Sequence, residues 1–127
     1  MMMMVSAASN ATRVFVVDPK PHDYADILRD TATHGVVLQI FTGGRAALRQ
    51  DPAQGPNLWV VNTRLPDMSG ADLLSMLRWR YPQVPVVLVS DEYSVEDEIS
   101  ARCSGAEMYL SKPLQREWLI TGVSPAY

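Results

Sequence analysis

The chain alternates between short apolar runs and stretches with helical spacing. The apolar runs begin near Arg13, Val36, Asn57, Val84 and Glu107. Each interval is long enough for one strand, one helix and two short connections, as in a βαβ unit. Most runs are continuously apolar and rich in valine, which is typical of strands covered on both faces. The pattern therefore predicts an α/β domain with a doubly wound, five-stranded parallel sheet, five helices and right-handed crossovers.

The stretches between the runs predict the five helices. The fourth is delimited most sharply, because Ser94 with Asp97 resembles a capping box and Gly105 is a typical C-terminal stop. The residues that mark the five helical segments are Tyr24, Ile27, Leu28 and Thr31, then Arg45 to Gln50, then Leu73, Leu74, Met76 and Leu77, then Val95, Ile99 and Cys103, and finally Leu114, Trp118 and Leu119.

Four polar residues each stand at the carboxyl end of a different apolar run. They are Asp18, Asn62, Ser90 and Lys112. The carboxyl ends of parallel strands meet at one edge of the sheet, where open α/β folds place their binding sites. An acid, an amide, a hydroxyl and an ammonium group at this edge would suit phosphate chemistry, but the amide cannot accept a phosphoryl group.

Composition narrows the class of protein. The 127 residues carry a net charge of −3 and are 47% hydrophobic, which favours one globular domain and argues against binding nucleic acid through a basic stripe. The single cysteine, Cys103, fits a reducing compartment, so we expect a cytoplasmic protein. No apolar stretch approaches the ~20 residues of a membrane span, so we expect no membrane segment. We expect a disordered extension over residues 1–11, the domain over 12–122 and a tail over 123–127.

Several motifs together resemble the receiver domain of response regulators, the phosphoacceptor module of two-component signalling. Residues 16–21, with the sequence VVDPKP, are similar to the end of the first strand and its acidic pair. Residues 62–70 are similar to the phosphoacceptor loop, and Ser90 matches the hydroxyl residue after the fourth strand. Lys112 with Pro113 matches the lysine–proline motif, and Tyr109 matches the switch aromatic. The resemblance covers residues 13 to about 120 and implies a CheY-like, flavodoxin-like sheet of order 2-1-3-4-5.

Two residues depart from the pattern of that family. Asn62 stands at the phosphoacceptor position, and Pro19 replaces the second acid of the pair. Mg²⁺ is a hard cation that prefers carboxylate oxygens, and Asp18 is the one acid left of the three that the resemblance implies. We therefore expect no Mg²⁺ binding and no other cofactor. Lys112 is expected to pair with Asp18, although Asp18 could instead only cap the following helix.

The resulting hypothesis is a pseudo-receiver that signals through protein contacts, without phosphorylation and without enzymatic activity. By the resemblance, the face formed by the fourth helix, fifth strand and fifth helix would bind a histidine kinase, an output domain or a second copy as a homodimer. Tyr109, Arg102 and Arg116 are its candidate interface residues. Two alternatives remain open: phosphorylation of another acid, Asp18 or Asp67, and a small-ligand module of the flavodoxin type.

Neighbouring residues have simpler interpretations. Asp91 is interpreted as an exposed loop aspartate, Lys20 as a solvated lysine and Ser90 as a strand-end cap. Cys103 is interpreted as a core thiol because of its helical spacing from Ile99.

Overall fold

The computed structural model of the protein describes residues 12–32 and 34–115. Its centre is a five-stranded parallel sheet with the strand order β2-β1-β3-β4-β5. This order confirms the doubly wound fold expected from the sequence. The strands are β1 (Thr12–Val17), β2 (Val36–Phe41), β3 (Leu58–Asn62), β4 (Val86–Ser90) and β5 (Met108–Ser111).

Helices connect consecutive strands. They are α1 (Ala25–Ala32), α2 (Gly44–Leu48), α3 (Gly70–Arg80) and α4 (Val95–Ser104), with single 3₁₀ turns at Pro21–Tyr24 and Pro52–Gln54. Of the predicted fifth helix, Trp118 and Leu119 lie outside the described residues, as do residues 1–11 and 123–127 of the predicted extension and tail. No helix within residues 12–32 and 34–115 has the length and apolar character of a membrane span.

The three central strands form the core. Residues 14–17 of β1 and all of β3 and β4 are buried, whereas the edge strand β2 alternates between buried and exposed positions. On the side of the sheet that α2 and α3 cover, Phe15, Phe41 and Trp59 pack at ring distances of 5.3 to 6.5 Å. Such a core, covered on both faces, is what continuous valine-rich runs indicate.

The strand register brings the carboxyl ends together. Val17 lies beside Val61, Asn62 beside Val89, and Ser90 beside Ser111. The residues that follow these strands therefore share one edge of the sheet.

Helix α4 differs from its prediction. Val95 and Ile99 are 55% and 57% exposed, and Cys103 is also exposed, so these residues do not face the core. The buried residue of α4 is Ala101. Asp97 points toward the end of β3 instead, where it accepts hydrogen bonds from the side chains that follow that strand. The interpretation of Cys103 as a core thiol is therefore wrong.

The ends of α4 agree better with the sequence. The Ser94 hydroxyl oxygen accepts a hydrogen bond from the Asp97 N–H at 3.2 Å, and Gly105 adopts a left-handed conformation with φ of 85°. The reciprocal half of a capping box is replaced, because the Ser94 N–H donates to the Tyr109 hydroxyl at 3.1 Å.

Candidate functional site

The four polar residues predicted at strand ends converge at the carboxyl edge of the sheet. Asp18, Asn62 and Ser90 are buried, and the Lys112 side chain is 11% exposed. The Lys112 N–H continues the β4–β5 ladder by donating to the Ser90 carbonyl at 3.0 Å. The peptide bond between Lys112 and Pro113 is cis, one of the two forms open to such a bond.

Asp18 is a fully buried carboxylate with both oxygens in use. Its Oδ1 accepts a hydrogen bond from the Lys20 N–H at 2.9 Å. Its Oδ2 accepts from the Tyr24 hydroxyl at 2.9 Å and from Asn62 Nδ2 at 3.1 Å, and it lies 3.0 Å from Lys112 Nζ. The predicted ion pair between Asp18 and Lys112 is therefore present. Burial and the negative charge of Asp18 raise the pKa of Tyr24, which keeps its hydroxyl protonated as a donor.

Lys112 is surrounded by three carboxylates. Its Nζ lies 3.0 Å from Asp18 Oδ2, 2.8 Å from Asp23 Oδ2 and 2.9 Å from Asp91 Oδ1. Burial alone would lower the pKa of Lys112, but hydrogen bonds to Asp23, Asp91 and Asp18 outweigh it and raise that pKa. The ammonium group thus stays charged and supplies a cation at the centre of the site.

Asn62 bridges two of these carboxylates. Its Nδ2 donates to Asp18 Oδ2 and to Asp91 Oδ1, each at 3.1 Å. Its Oδ1 accepts the Arg64 N–H at 2.9 Å. This network assigns the orientation of the amide, because only the NH₂ group can donate to the carboxylates.

Asp91 is an exposed loop aspartate, as expected from the sequence, and it also belongs to the site. Its side chain is 43% exposed, yet it binds Lys112, Asn62 and Lys20. These hydrogen bonds, led by those from Lys112 and Lys20, hold the pKa of Asp91 far below its usual value. Lys20 is likewise paired, with its Nζ 3.0 Å from Asp91 Oδ2.

Ser90 connects the site to the start of α4. Its hydroxyl donates to the Glu92 carbonyl at 2.7 Å and shares a hydrogen bond with the Tyr109 hydroxyl. Because Tyr109 also accepts the Ser94 N–H, the tyrosine joins the ends of β4 and β5 to the helix.

The family model of the response regulator receiver domain matches residues 14–124 of this chain. The chain belongs to this family. The order of its strands and the polar edge described above fit that assignment.

Individual relatives support the same family assignment. The chain is 31% identical over 117 residues to the probable transcriptional regulatory protein TcrX of Mycobacterium tuberculosis, covering 92% of this chain and 50% of TcrX. It is 32% identical over 89 residues to the regulatory protein LuxO of Vibrio cholerae, covering 70% of this chain and 20% of LuxO. The chain thus spans half or less of the length of these relatives. Its fold is similar to that of a CheY-like receiver domain protein from Methanospirillum hungatei, with a TM-score of 0.78 at 22% identity over 90% of this chain and 91% of that chain.

Sequence reasoning missed two residues of the receiver site. Asp23 and Tyr24 belong to the 3₁₀ turn Pro21–Tyr24, which folds back over the end of β1. Pro21, the last residue of the β1 motif, was the available signal, because proline favours the first position of such a turn.

The remaining candidates lie away from the pocket or outside the described residues. Pro19 follows Asp18 in the chain and is exposed. Arg102 pairs with Glu98 at 3.0 Å on α4, whereas Arg116 lies outside the described part of the chain. Asp67 caps α2, since its two oxygens each accept a backbone N–H, from Gly44 and Arg45, at 2.9 Å.

Proposed function

We propose that this receiver domain works without phosphorylation at the end of β3 and acts in signal transduction through protein contacts. The observation that carries the proposal is Asn62, which stands at the acceptor position and is held at both ends of its amide. Phosphoryl transfer to this position requires a carboxylate oxygen as nucleophile. An amide oxygen is neutral, and the Asn62 oxygen already accepts the Arg64 N–H.

The side chains of the pocket do not fit Mg²⁺. This ion requires near-octahedral oxygen ligands at about 2.0–2.1 Å and usually retains several waters. Asp18 is buried with both oxygens engaged, Pro19 has no carboxylate, and no group of three or more His, Cys, Asp or Glu side chains within the described residues is arranged to hold a metal. Lys112 instead supplies one positive charge among Asp18, Asp23 and Asp91 from within the protein.

The contact between Ser90 and Tyr109 supports a signalling state that needs no phosphoryl group. Tyr109 is tied to the end of β4 and to the first residue before α4 by hydrogen bonds. The surface of α4 and β5 is thereby held in one arrangement. We propose that this surface, with Arg102 and with Arg116 beyond the described residues, binds a histidine kinase, an output domain or another copy in the cytoplasm.

Acetyl phosphate with Mg²⁺, followed by intact mass spectrometry, tests the proposal. Wild-type protein should gain no phosphoryl group. Asn62→Asp alone should gain little, because Pro19 still denies the metal a ligand. Pro19→Asp combined with Asn62→Asp should gain one group, since Ser90 and Lys112 remain available. Stoichiometric labelling of wild-type protein would overturn the proposal.

Calorimetric titration of the protein with Mg²⁺ gives a second, independent test of the expected loss of the metal site. Wild-type protein should show no saturable heat in the low millimolar range, and the double variant should show it. Saturation of the wild-type protein at that level would contradict the expected loss of the metal site.

Phosphorylation of another acid is less well supported by the geometry. Asp18 is completely buried and Asp67 has both oxygens committed to the start of α2. Backbone hydrogen bonds from Arg45 and Gly44 also lower the pKa of Asp67 and so weaken it as a nucleophile. If wild-type protein were labelled, peptide mapping would identify the acid.

A cavity of about 380 Å³ beside Lys112 and Pro113 keeps the small-ligand alternative open. Its charged lining groups are already paired with one another. A ligand-induced shift in melting temperature, or absorbance of the purified protein above the aromatic band, would support this alternative over a protein-binding role.

A further inference from the structure

The outer side of α4 carries an apolar stripe that faces solvent. Val95, Ile99 and Cys103 follow one another at intervals of four residues, so they lie on one side of the helix. All three are exposed. Glu92 and Glu96 lie at the same end of the helix and are also exposed. No lysine or arginine within the described residues forms an ion pair with either carboxylate.

An apolar groove lies on a different part of the surface, between α2 and α3. It has a volume of about 430 Å³ and is lined by Leu48, Ser75, Met76, Trp79 and Arg80. Trp79 is 86% exposed. Tryptophan, tyrosine and arginine are enriched among the residues that dominate binding energy at protein interfaces.

Arginines without a carboxylate partner are concentrated around this groove. The chain has eleven lysines and arginines, and all except Arg116 lie in the described residues. Five of these ten pair with carboxylates: Lys20, Arg29, Arg64, Arg102 and Lys112. Four of the remaining five belong to α2, its C-terminal cap or α3: Arg45, Arg49, Arg78 and Arg80.

The position of these arginines gives the groove a positive border. Arg80 lines it and donates a hydrogen bond to the Leu48 carbonyl. Arg49 is adjacent to Leu48 in the chain, and Arg45 lies one helical turn earlier on the same exposed side. Arg78 points the other way and donates to the Gly105 carbonyl at 3.1 Å, so it is not part of the border. Asp72 is the one acid of α3, and Asp67, which accepts the Arg45 N–H, offsets the charge of Arg45, so Arg49 and Arg80 are the main positive groups of the border.

We propose that the groove of one copy binds the α4 stripe of a second copy. Val95 and Ile99 would pack on Trp79, while Glu92 and Glu96 would face the arginine border. Both surfaces of this contact belong to the same chain, and their apolar parts and charges are complementary. The inference extends the proposed function by naming the partner of the α4 surface, and it does not depend on the state of the pocket.

The proposed contact joins two different surfaces, so it is heterologous. Each bound pair therefore leaves one groove and one stripe free, and association continues unless a ring closes. A single short helix in a groove forms a small interface, which is typical of weak and transient association. Mean mass should consequently rise with concentration without stopping at a dimer.

Sedimentation velocity from about 10 µM to about 1 mM protein, under reducing conditions so that Cys103 forms no disulfide, tests the inference. Wild-type protein should show mass increasing with concentration. Trp79→Ser and Ile99→Ser should each remain monomeric, with nearly unchanged melting temperatures because both side chains are exposed. Leu28→Ser, at an exposed apolar position of α1, is the matched control and should associate like the wild type.

Mixing the two inactive variants provides the decisive measurement. The Trp79→Ser copy retains its stripe and the Ile99→Ser copy retains its groove, so an equimolar mixture should form a one-to-one dimer and nothing larger. Higher salt should weaken it, because the arginine and glutamate charges are exposed. Wild-type protein that stays monomeric throughout, a mixture that stays monomeric, or a Trp79→Ser variant that still dimerises through a symmetric α4 contact would each overturn the inference.

Mass spectrometry after acetyl phosphate treatment separates this inference from the proposed function. Failure to associate leaves the labelling result unchanged. Labelling of the wild-type protein would contradict phosphorylation independence without affecting the groove.

Discussion

At the carboxyl edge of the sheet, five charged side chains are paired with one another, whereas on α2 to α4 arginines and apolar side chains face solvent. The five are Asp18, Asp23, Asp91, Lys20 and Lys112. In the pocket, every charged group has a partner of opposite charge, although three carboxylates and two ammonium groups leave the cluster with a net charge of −1. On the helices, Trp79 and Ile99 are exposed, and a partner that covered them would remove their apolar surface from water. The comparison separates a polar cluster whose charges are paired within the chain from an exposed surface that we propose binds a partner.

The largest loss of stability in the pocket should come from removing its central cation. Lys112→Met would leave Asp18 as a buried charge without its counterion, and breaking such a pair costs about 3–5 kcal/mol. We expect a loss of that order in the free energy of unfolding, measured by urea denaturation at pH 7. Adding Asp18→Asn should recover a large part of the loss.

Lys20→Met is the matched control for that experiment. Lys20 pairs with Asp91 at the exposed rim, and exposed ion pairs contribute about 0–1 kcal/mol. Equal effects of the two lysine substitutions on the free energy of unfolding would mean that the buried pair contributes no more to stability than the exposed pair.

A second experiment compares the two helices directly. Leu74 of α3 is fully buried, whereas Ile99 of α4 is exposed. Leu74→Ala should cost about 2–5 kcal/mol through lost burial and a cavity, and Ile99→Ala should stay within about 0.5 kcal/mol. A cost for Ile99→Ala that approached that of Leu74→Ala would show that the stripe packs inward.

A third experiment tests whether the stability of the pocket depends on a neutral side chain at position 62, between Asp18 and Asp91. Asn62→Asp would place a new carboxyl group close to Asp18 and Asp91 and remove the amide donor. Two unit charges 4 Å apart repel by about 4 kcal/mol at an effective dielectric of 20, and Lys112 would offset part of this. We expect a net loss on the order of 2 kcal/mol at neutral pH.

The pH dependence of this variant distinguishes repulsion from a packing defect. Crowding of carboxylates raises the pKa of the new group in the folded state, so the penalty should shrink as pH falls and the group becomes protonated. The difference from wild type, followed by urea denaturation, should be smaller at pH 4 than at pH 7. A constant difference would indicate lost packing instead.

The smallest expected effect is the acid sensitivity of the wild-type protein. Hydrogen bonds from Lys112 lower the folded-state pKa of Asp91 and of Asp23. Their stabilisation is therefore complete above the unfolded pKa of about 3.9 and is lost as pH falls through the folded pKa. The raised pKa of Lys112 acts in the opposite range, because its stabilisation is lost as pH rises above about 10.4.

Melting temperatures between pH 2 and pH 7 measure this effect. Asp91→Asn should lower the melting temperature at pH 7 and flatten its fall below pH 4, whereas Asp26→Asn, which alters an exposed helical pair, should preserve the wild-type slope. Parallel curves for Asp91→Asn and wild type would show that Asp91 does not contribute to acid sensitivity.

The sequence by itself determined the sheet and which residues would end its strands. Continuous valine runs predict strands buried on both faces, and the carboxyl ends of parallel strands must share an edge, so Asp18, Asn62, Ser90 and Lys112 could be grouped without coordinates. The ends of α4 were predictable for the same local reason, since Ser94 and Gly105 act on the backbone of their own helix.

Only the tertiary structure decided which loop residues joined that group and which side of α4 faced inward. Asp91 and Asp23 are brought to Lys112 by turns whose paths depend on the order of β1, β3, β4 and β5 in the sheet. The spacing of Val95, Ile99 and Cys103 defines a stripe but not its direction. The structure places Asp97, which accepts hydrogen bonds from Thr63 and Arg64, and buried Ala101 on the inward side, so the stripe on the opposite side faces solvent.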